Sequence, residues 1–180
     1  MIVLVRHGAT DHNAEGRFLS RTDLPLNEQG RRQVEALAQT LSAYRFARCY
    51  SSPMRRCIET ADIVAPKLER VVDSSLREID FGDWEGETAE SIGLSDPEGL
   101  AERKRDPVHF RPPNGESFED VALRLQALRE QLQDATGDML VVAHRGSLGV
   151  LERLLRDLPL NSQTVTPLEP AQFHEIILNG

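Results

Sequence analysis

Apolar runs and amphipathic stretches alternate along this chain, and the apolar runs end in polar or charged residues. Met1 to Val5 reads Met-Ile-Val-Leu-Val and stops at Arg6, His7 and Gly8, the pattern of a short strand covered on both faces. From Asn27 to about Ala43, Val34, Leu37, Ala38 and Leu41 recur at helical spacing behind a capping Asn27, which predicts an amphipathic helix lying on a sheet. Cys49 to Ser52 reads as a second strand, and Pro53 opens a helix through Arg55, Arg56, Ile58, Thr60 and Ile63 that stops before Pro66. Arg70 to Asp73 is the third strand. Ser117 to Ala135 carries Phe118, Val121, Leu125, Leu128 and Leu132 on one face, with Ser117 and Asp120 spaced as a capping box. Asp138 to Ala143 is the strongest strand pattern; it ends in His144-Arg145-Gly146-Ser147 and leads into a helix with Leu148, Leu151, Leu154 and Leu155 on its apolar face. Phe173 to Leu178 is the last strand. The segment from about Asp83 to Glu116 is polar and holds Pro97, Pro107, Pro112 and Pro113, so it predicts a long excursion with one or two short helices, of the kind that serves as a lid. Strands followed by helices, without internal repeats, predict one α/β domain over residues 1–180.

Composition narrows the ligand. With 180 residues and 39% hydrophobic content the chain can bury one good core. Its 21 basic and 29 acidic residues give a formal charge of −8, which argues against nucleic acid or an anionic membrane as partner. An anionic ligand must then be held by a local cluster. The two cysteines, Cys49 and Cys57, lie eight apart with no second Cys/His cluster, so neither a disulfide framework nor a structural metal is predicted, and reduced thiols fit the cytoplasm. The apolar start is too short for a signal-peptide core and has no basic leader, and no stretch approaches a membrane span.

In open α/β sheets ligands bind beyond the carboxyl ends of the strands. Here those ends gather Arg6, His7, Ser51, Ser52, Arg55, Arg56, His144 and Arg145. Arginine offers a rigid fork of donors for phosphate oxygens, and helices that start after the strands add partial positive charge. Taken singly, each residue has an ordinary structural reading: a hydrogen-bonded histidine, a solvated arginine at 56, an exposed Glu78 before a turn. Their combination points to a bound phosphate.

"RHGATDHN" (Arg6 to Asn13), "DLPLNEQG" (Asp23 to Gly30), "SSPMRRCIETA" (Ser51 to Ala61), "LREIDFGDWEG" (Leu76 to Gly86) and "VVAHRG" (Val141 to Gly146) together resemble, in order, the motifs of the histidine phosphatase superfamily, the phosphoglycerate mutase-like fold. The resemblance implies a three-layer α/β/α sandwich with a mostly parallel central sheet. It implies a histidine acid-type phosphatase, a phosphoric monoester hydrolase that works through a phosphohistidine and needs neither cofactor nor metal. His7 is then the nucleophile through Nε2, with Nδ1–H held by backbone and Gly8 allowing close approach. Arg6, Arg56, His144 as a cation, and Asn13 surround the phosphate, and Thr10, Ser20 and Arg145 are candidate substrate contacts. Glu78 is the general acid and base, protonated near neutrality. Asp80 is its local competitor, since a continuous strand would point both side chains the same way. Three departures from the family pattern, Ala9, Leu19-Ser20 and Arg145, border the phosphate or substrate and bear on substrate identity.

Within that family the short excursion, "FGDWEG" and "PPNGESFEDVALRL" are similar to the small phosphatases, including the α-ribazole-5′-phosphate phosphatases. Lys104, Arg105, His109 and Arg111 in the lid are further candidates for substrate contact. The expected partner is a small phosphorylated metabolite, and monomer and homodimer both stay open. The rival readings are a cofactor-dependent phosphoglycerate mutase and a non-catalytic protein that binds a phospho-ligand.

Overall fold

The strongest apolar runs form the middle of the sheet. The computed structural model describes residues 1–177. In chain order it contains β1 (Ile2–Arg6), α1 (Asp11–Ala14), α2 (Glu28–Leu41), β2 (Phe46–Ser51), α3 (Arg55–Val64) and β3 (Arg70–Val72), then 3₁₀ turns at Ser74–Leu76 and Gly82–Trp84. There follow α4 (Ala89–Ser95), α5 (Pro97–Arg105), α6 (Phe118–Gln133), β4 (Asp138–Ala143), α7 (Arg145–Leu155) and β5 (Phe173–Ile176). The strand order is β3-β2-β4-β1-β5. All neighbours are parallel except β5, which runs antiparallel to β1.

Side chains of the three central strands alternate between two cores. Ile2, Leu4, Tyr50, Met139, Val141 and Ala143 pack with α6 and α7. Val3, Val5, Cys49, Leu140 and Val142 pack with Leu37 and Leu41 of α2 and with Cys57 and Ala61 of α3. These are the three layers expected. Helix α6 begins with the predicted capping box, Ser117 with Asp120, and buries Val121, Leu125, Leu128 and Leu132; each such side chain contributes about 1.5–3 kcal/mol of transfer free energy before ordering costs. Close packing also decides one glycine: a Cβ at Gly30, in the first turn of α2, would lie 2.1 Å from the Ala9 carbonyl oxygen, so only glycine lets α2 sit against the chain leaving β1.

Several boundaries differ from the sequence reading. β2 starts three residues early, at Phe46, because its first part carries exposed Ala47 and Arg48 and a register shift and so shows no apolar run. Pro53 lies in a bend, and α3 starts after Met54 with no side-chain cap. The one-turn α1, capped by Thr10 and Asn13, was not expected; four residues are too few to show periodicity. Of the last strand, Leu178 lies outside the described residues. The excursion holds α4 and α5, as predicted. Among the described residues no helix is long and apolar enough to cross a membrane.

Because β2, β4 and β1 are parallel neighbours, their carboxyl ends open on one edge. Arg6 stands opposite Ala143 in the ladder, and His7 N–H donates to the Ala143 carbonyl at 3.0 Å. The residues that follow β1 and β4, His7 and His144, are thereby side by side.

Candidate active site

The two imidazoles meet edge to face, ring centroids 5.1 Å apart. His7 is buried, and its Nδ1 lies 2.7 Å from the Gly8 carbonyl oxygen. A carbonyl only accepts, so Nδ1 carries the proton and Nε2 keeps its lone pair. Gly8 is itself tied down: its N–H donates to Thr60 Oγ1 at 3.2 Å, and Thr60 donates to the Arg56 carbonyl at 2.7 Å. Burial, then Arg56 and Arg6, hold the His7 pKa well below its ordinary value. The ring is a neutral, oriented base.

His144 differs from the expectation of a cation. Arg56 Nε donates to its Nδ1 at 3.3 Å, and its Nε2 lies 2.9 Å from Ser52 Oγ. Since guanidinium is always a donor, Nδ1 accepts and the proton sits on Nε2, toward Ser52. Burial and the neighbouring Arg56, His7 and Arg6 push the pKa well down. Arg56 is fully buried; it also donates to the Thr22 and Ser20 carbonyls at 2.9 and 3.1 Å. It stands behind His144 rather than on the cleft surface. Cys57 is close by, 3.5 Å from His144 Nε2, but burial pushes its thiol up to about 12, which rules out a thiolate nucleophile near neutrality.

Glu78 lies where the α7 amino terminus needs an acceptor. His144 is the N-cap of α7 yet makes no capping bond with its side chain. Glu78 fills that role from another segment: Oε2 accepts from Gly146 N at 3.0 Å, and Oε1 from Ser147 N and Ile79 N, both at 2.9 Å. A Cβ at residue 146 would come within 2.5 Å of Glu78 Oε1, so the approach requires Gly146. Arg124 of α6 fixes the segment by donating to the Arg77 and Glu78 carbonyls. Two N–H donors of the α7 amino terminus and the Ile79 N–H hold the carboxyl group in place.

The competitor, Asp80, does not line the cleft. Residues 77–81 form no strand. Asp80 is gripped by Arg21 Nε at 2.7 and 2.8 Å, accepts from Gly82 N, and does not reach the cleft.

A cleft of about 890 Å³ opens in front of His7, lined among others by Arg6, Asn13, Glu78 and Arg145. Arg6 is buried, donates through NH1 to the Leu168 carbonyl at 2.8 Å, and leaves Nε without a partner. Asn13 accepts from Thr10 N and Oγ1 through Oδ1, which turns its amide nitrogen outward as a donor. Arg145 and Arg6 face Glu169 from either side, at 3.4 and 3.6 Å.

Other expected contacts are not brought to the cleft. Thr10 and Ser20 are buried and structural: Thr10 caps α1, and Ser20 is bonded to Glu85, Phe81 and Arg56. Ser51 is buried with its hydroxyl on the Ser52 carbonyl, and Arg55 pairs with Glu59 on the surface. In the excursion, Lys104 is exposed, Arg105 pairs with Glu102, His109 with Asp106 and Arg111 with Asp120, all outside the cleft. Arg103 lines it instead. Sequence reasoning missed this residue because α5 presents Arg103, Lys104 and Arg105 in a row and only the helix's phase on the core selects one of them.

The family model of the histidine phosphatase superfamily, branch 1, matches residues 2–180. The chain belongs to this superfamily. Branch 1 replaces the acid-type label expected from the sequence. This chain is 39% identical over 163 residues to a bifunctional protein of Mycobacterium tuberculosis, covering 87% of this chain and 44% of that one; it spans less than half the length of that relative. It is 32% identical to the glucosyl-3-phosphoglycerate phosphatase of Mycolicibacterium vanbaalenii, covering 91% of this chain and 77% of that protein. Among solved structures, a mycobacterial glucosyl-3-phosphoglycerate phosphatase in complex with VO3 superposes with a TM-score of 0.88 at 32% identity, over 96% of this chain and 90% of that one. The α-ribazole phosphatase from Shigella flexneri gives 0.86 at 27% identity, over 96% and 87%.

Proposed function

We propose that this protein is a phosphomonoesterase that transfers the phosphoryl group of a small metabolite to His7 and then to water, its whole chain acting as one catalytic domain. The observation that carries this reading is the state of His7. Its proton is fixed on Nδ1 by the Gly8 carbonyl, it is neutral, and it faces a cleft in which Arg6 Nε has no partner.

In the first step His7 Nε2 forms a bond to phosphorus while the bond from phosphorus to the ester oxygen breaks, and Glu78 gives that oxygen its proton. Arg6 and the Asn13 amide take the charge on the phosphoryl oxygens, with the buried Arg56 guanidinium adding positive charge from behind His144. In the second step Glu78 takes a proton from water, the water oxygen bonds to phosphorus, and the P–N bond returns its electron pair to Nε2.

The relatives support a phosphorylated metabolite as substrate, and a cleft of about 890 Å³ accepts more than the phosphoryl group. α-Ribazole 5′-phosphate and glucosyl-3-phosphoglycerate are the first esters to try. The buried free thiols Cys49 and Cys57 fit a reducing compartment, and we assign the protein to the cytoplasm.

The test is phosphate release from these two esters, 3-phosphoglycerate, phosphoserine and p-nitrophenyl phosphate, beside His7→Ala. Loss of the nucleophile should lower kcat by at least about 10³-fold, the scale on which removing the nucleophile acts in comparable enzymes. Phosphoryl exchange between phosphoglycerates without net release would mean a mutase. Absence of both activities would leave a binding protein.

A further inference from the structure

Arg103 is the one lid cation turned into the cleft among the described residues, and its chemistry there is incomplete. Its guanidinium carbon lies 5.4, 5.3 and 5.9 Å from the ring centroids of Phe18, Phe81 and Trp84. The rings fix the group by its face, and they are anchored in turn. Trp84 stacks on Phe110 at 5.4 Å and donates through Nε1 to Asp96, the N-cap of α5.

The edge of the guanidinium is another matter. Guanidinium carries five N–H donors in one plane, and Arg103 has no hydrogen-bond or ion-pair partner among the described residues, although every other arginine lining the cleft has one. Arg6 has Leu168, Arg17 has Glu15, Arg145 has Glu169 and Arg153 has the Ser162 carbonyl. The opposing charge it feels is Glu78, but both oxygens of Glu78 already accept backbone N–H groups. The Arg103 nitrogens are not among the unpartnered atoms sealed from solvent, so they stay open to the cleft. A ligand there that brings an anionic acceptor gains a charge-assisted hydrogen bond.

Glu78 marks the side of the phosphate from which the leaving group departs. We propose that Arg103 is a specificity-determining residue that binds an anionic group, a carboxylate or a second phosphate, on the leaving-group portion of the substrate. This rests on the phosphatase reading above for which side the leaving group occupies. It narrows the substrate class to phosphomonoesters with a second negative charge. The aromatic bed keeps the guanidinium flat and preorganised for a bidentate contact, a geometry that lysine cannot reproduce.

Phosphonates test this without turnover, since their P–C bond is not hydrolysed. Binding of 3-phosphonopropionate and 4-phosphonobutyrate is compared calorimetrically with that of propylphosphonate and butylphosphonate, for the wild type, Arg103→Met and Arg103→Lys. The wild type should prefer the carboxylate-bearing member of at least one pair by about tenfold, on the scale of a charge-assisted hydrogen bond. Arg103→Met should bring that preference close to unity, and Arg103→Lys should restore only part of it. Equal binding within both pairs, failure of all four to bind, or a preference that survives Arg103→Met would overturn the proposal. Hydrolysis of the ester panel is scored separately. A phosphonate preference that depends on Arg103 in a protein that cleaves no ester would sink the phosphatase reading and leave the anion subsite standing.

Discussion

Thr60 supports His7 from a distance, and replacing it isolates that support. Its side chain is fully buried in α3, where Oγ1 accepts from Gly8 N and donates to the Arg56 carbonyl. Thr60→Val keeps the shape and removes both bonds. The Arg56 carbonyl is on a helix and retains other acceptor geometry, but the Gly8 N–H is left buried without a partner, which costs about 1–3 kcal/mol. At ~2 kcal/mol, and with about 2–4 °C of Tm per kcal/mol for a domain of this size, the melting temperature should fall by roughly 4–8 °C. Thr60→Ser keeps both bonds and loses one methyl group, about 0.8 kcal/mol of burial, so it should fall less. Urea unfolding with a common m-value measures the order. Activity adds a second readout: Gly8 also holds His7 Nδ1 through its carbonyl, so Thr60→Val should lower kcat more than it changes KM, and Thr60→Ser should preserve the wild-type ratio. A Thr60→Val protein as stable as Thr60→Ser, or more so, would refute the claim that this hydroxyl satisfies the Gly8 amide.

Two further outcomes follow from the charges around the cleft. Glu169 stands between Arg6 and Arg145 as a resident anion, so Glu169→Gln should tighten binding of inorganic phosphate. More than half of the Glu169 side chain is exposed, so the gain is limited to about 1 kcal/mol, or up to about fivefold in Kd; calorimetric binding that is unchanged or weaker would contradict it. His7 and His144 have folded-state pKa values depressed below the unfolded one. The unfolded chain then binds more protons below about pH 6.5, and stability present above that value is lost as pH falls toward the folded pKa, by about 1.4 kcal/mol per pH unit per histidine. Urea titrations between about pH 7 and 5.5 should show that decline, before carboxylates titrate, and a flat profile would mean that the imidazoles are not buried neutral.

Legibility in the sequence followed the strength of local patterns. β1 and β4 were plain because both faces are buried and the runs are continuous. α6 was plain because Ser117 and Asp120 announce its start and Leu125, Leu128 and Leu132 its buried face. Residues 46–48 of β2 were not, since Ala47 and Arg48 are exposed and leave Phe46 without a buried apolar neighbour in the run. The motifs single out His7, His144, Arg56 and Glu78, but not the hydrogen bonds that fix them. The site of the proton on His144 depends on Arg56, 88 residues away, and the acceptor role of Glu78 depends on the first turn of α7. Ser20 and Thr10 looked like substrate contacts because they sit in or near motifs, whereas their hydroxyls serve Glu85 and Asn13. Such pairings come from tertiary packing, which no window of sequence contains.

The pairing of β1 with β4 separates two properties of the molecule. The spacing of the two imidazoles is set by the central ladder, Arg6 opposite Ala143 and His7 bonded to Ala143, so it changes only if the middle of the sheet opens, the costliest opening in such a fold. Arg103 and Ala89 of the cleft lining belong to residues 83–116, which lie outside the sheet altogether. Amide exchange should divide along the same line, slowest in β1 and β4 and fastest in the excursion. In an evolving lineage the paired imidazoles are thereby insulated from changes in the opposite wall: insertions and substitutions in the excursion can reshape the cleft while the geometry at the sheet edge is inherited intact.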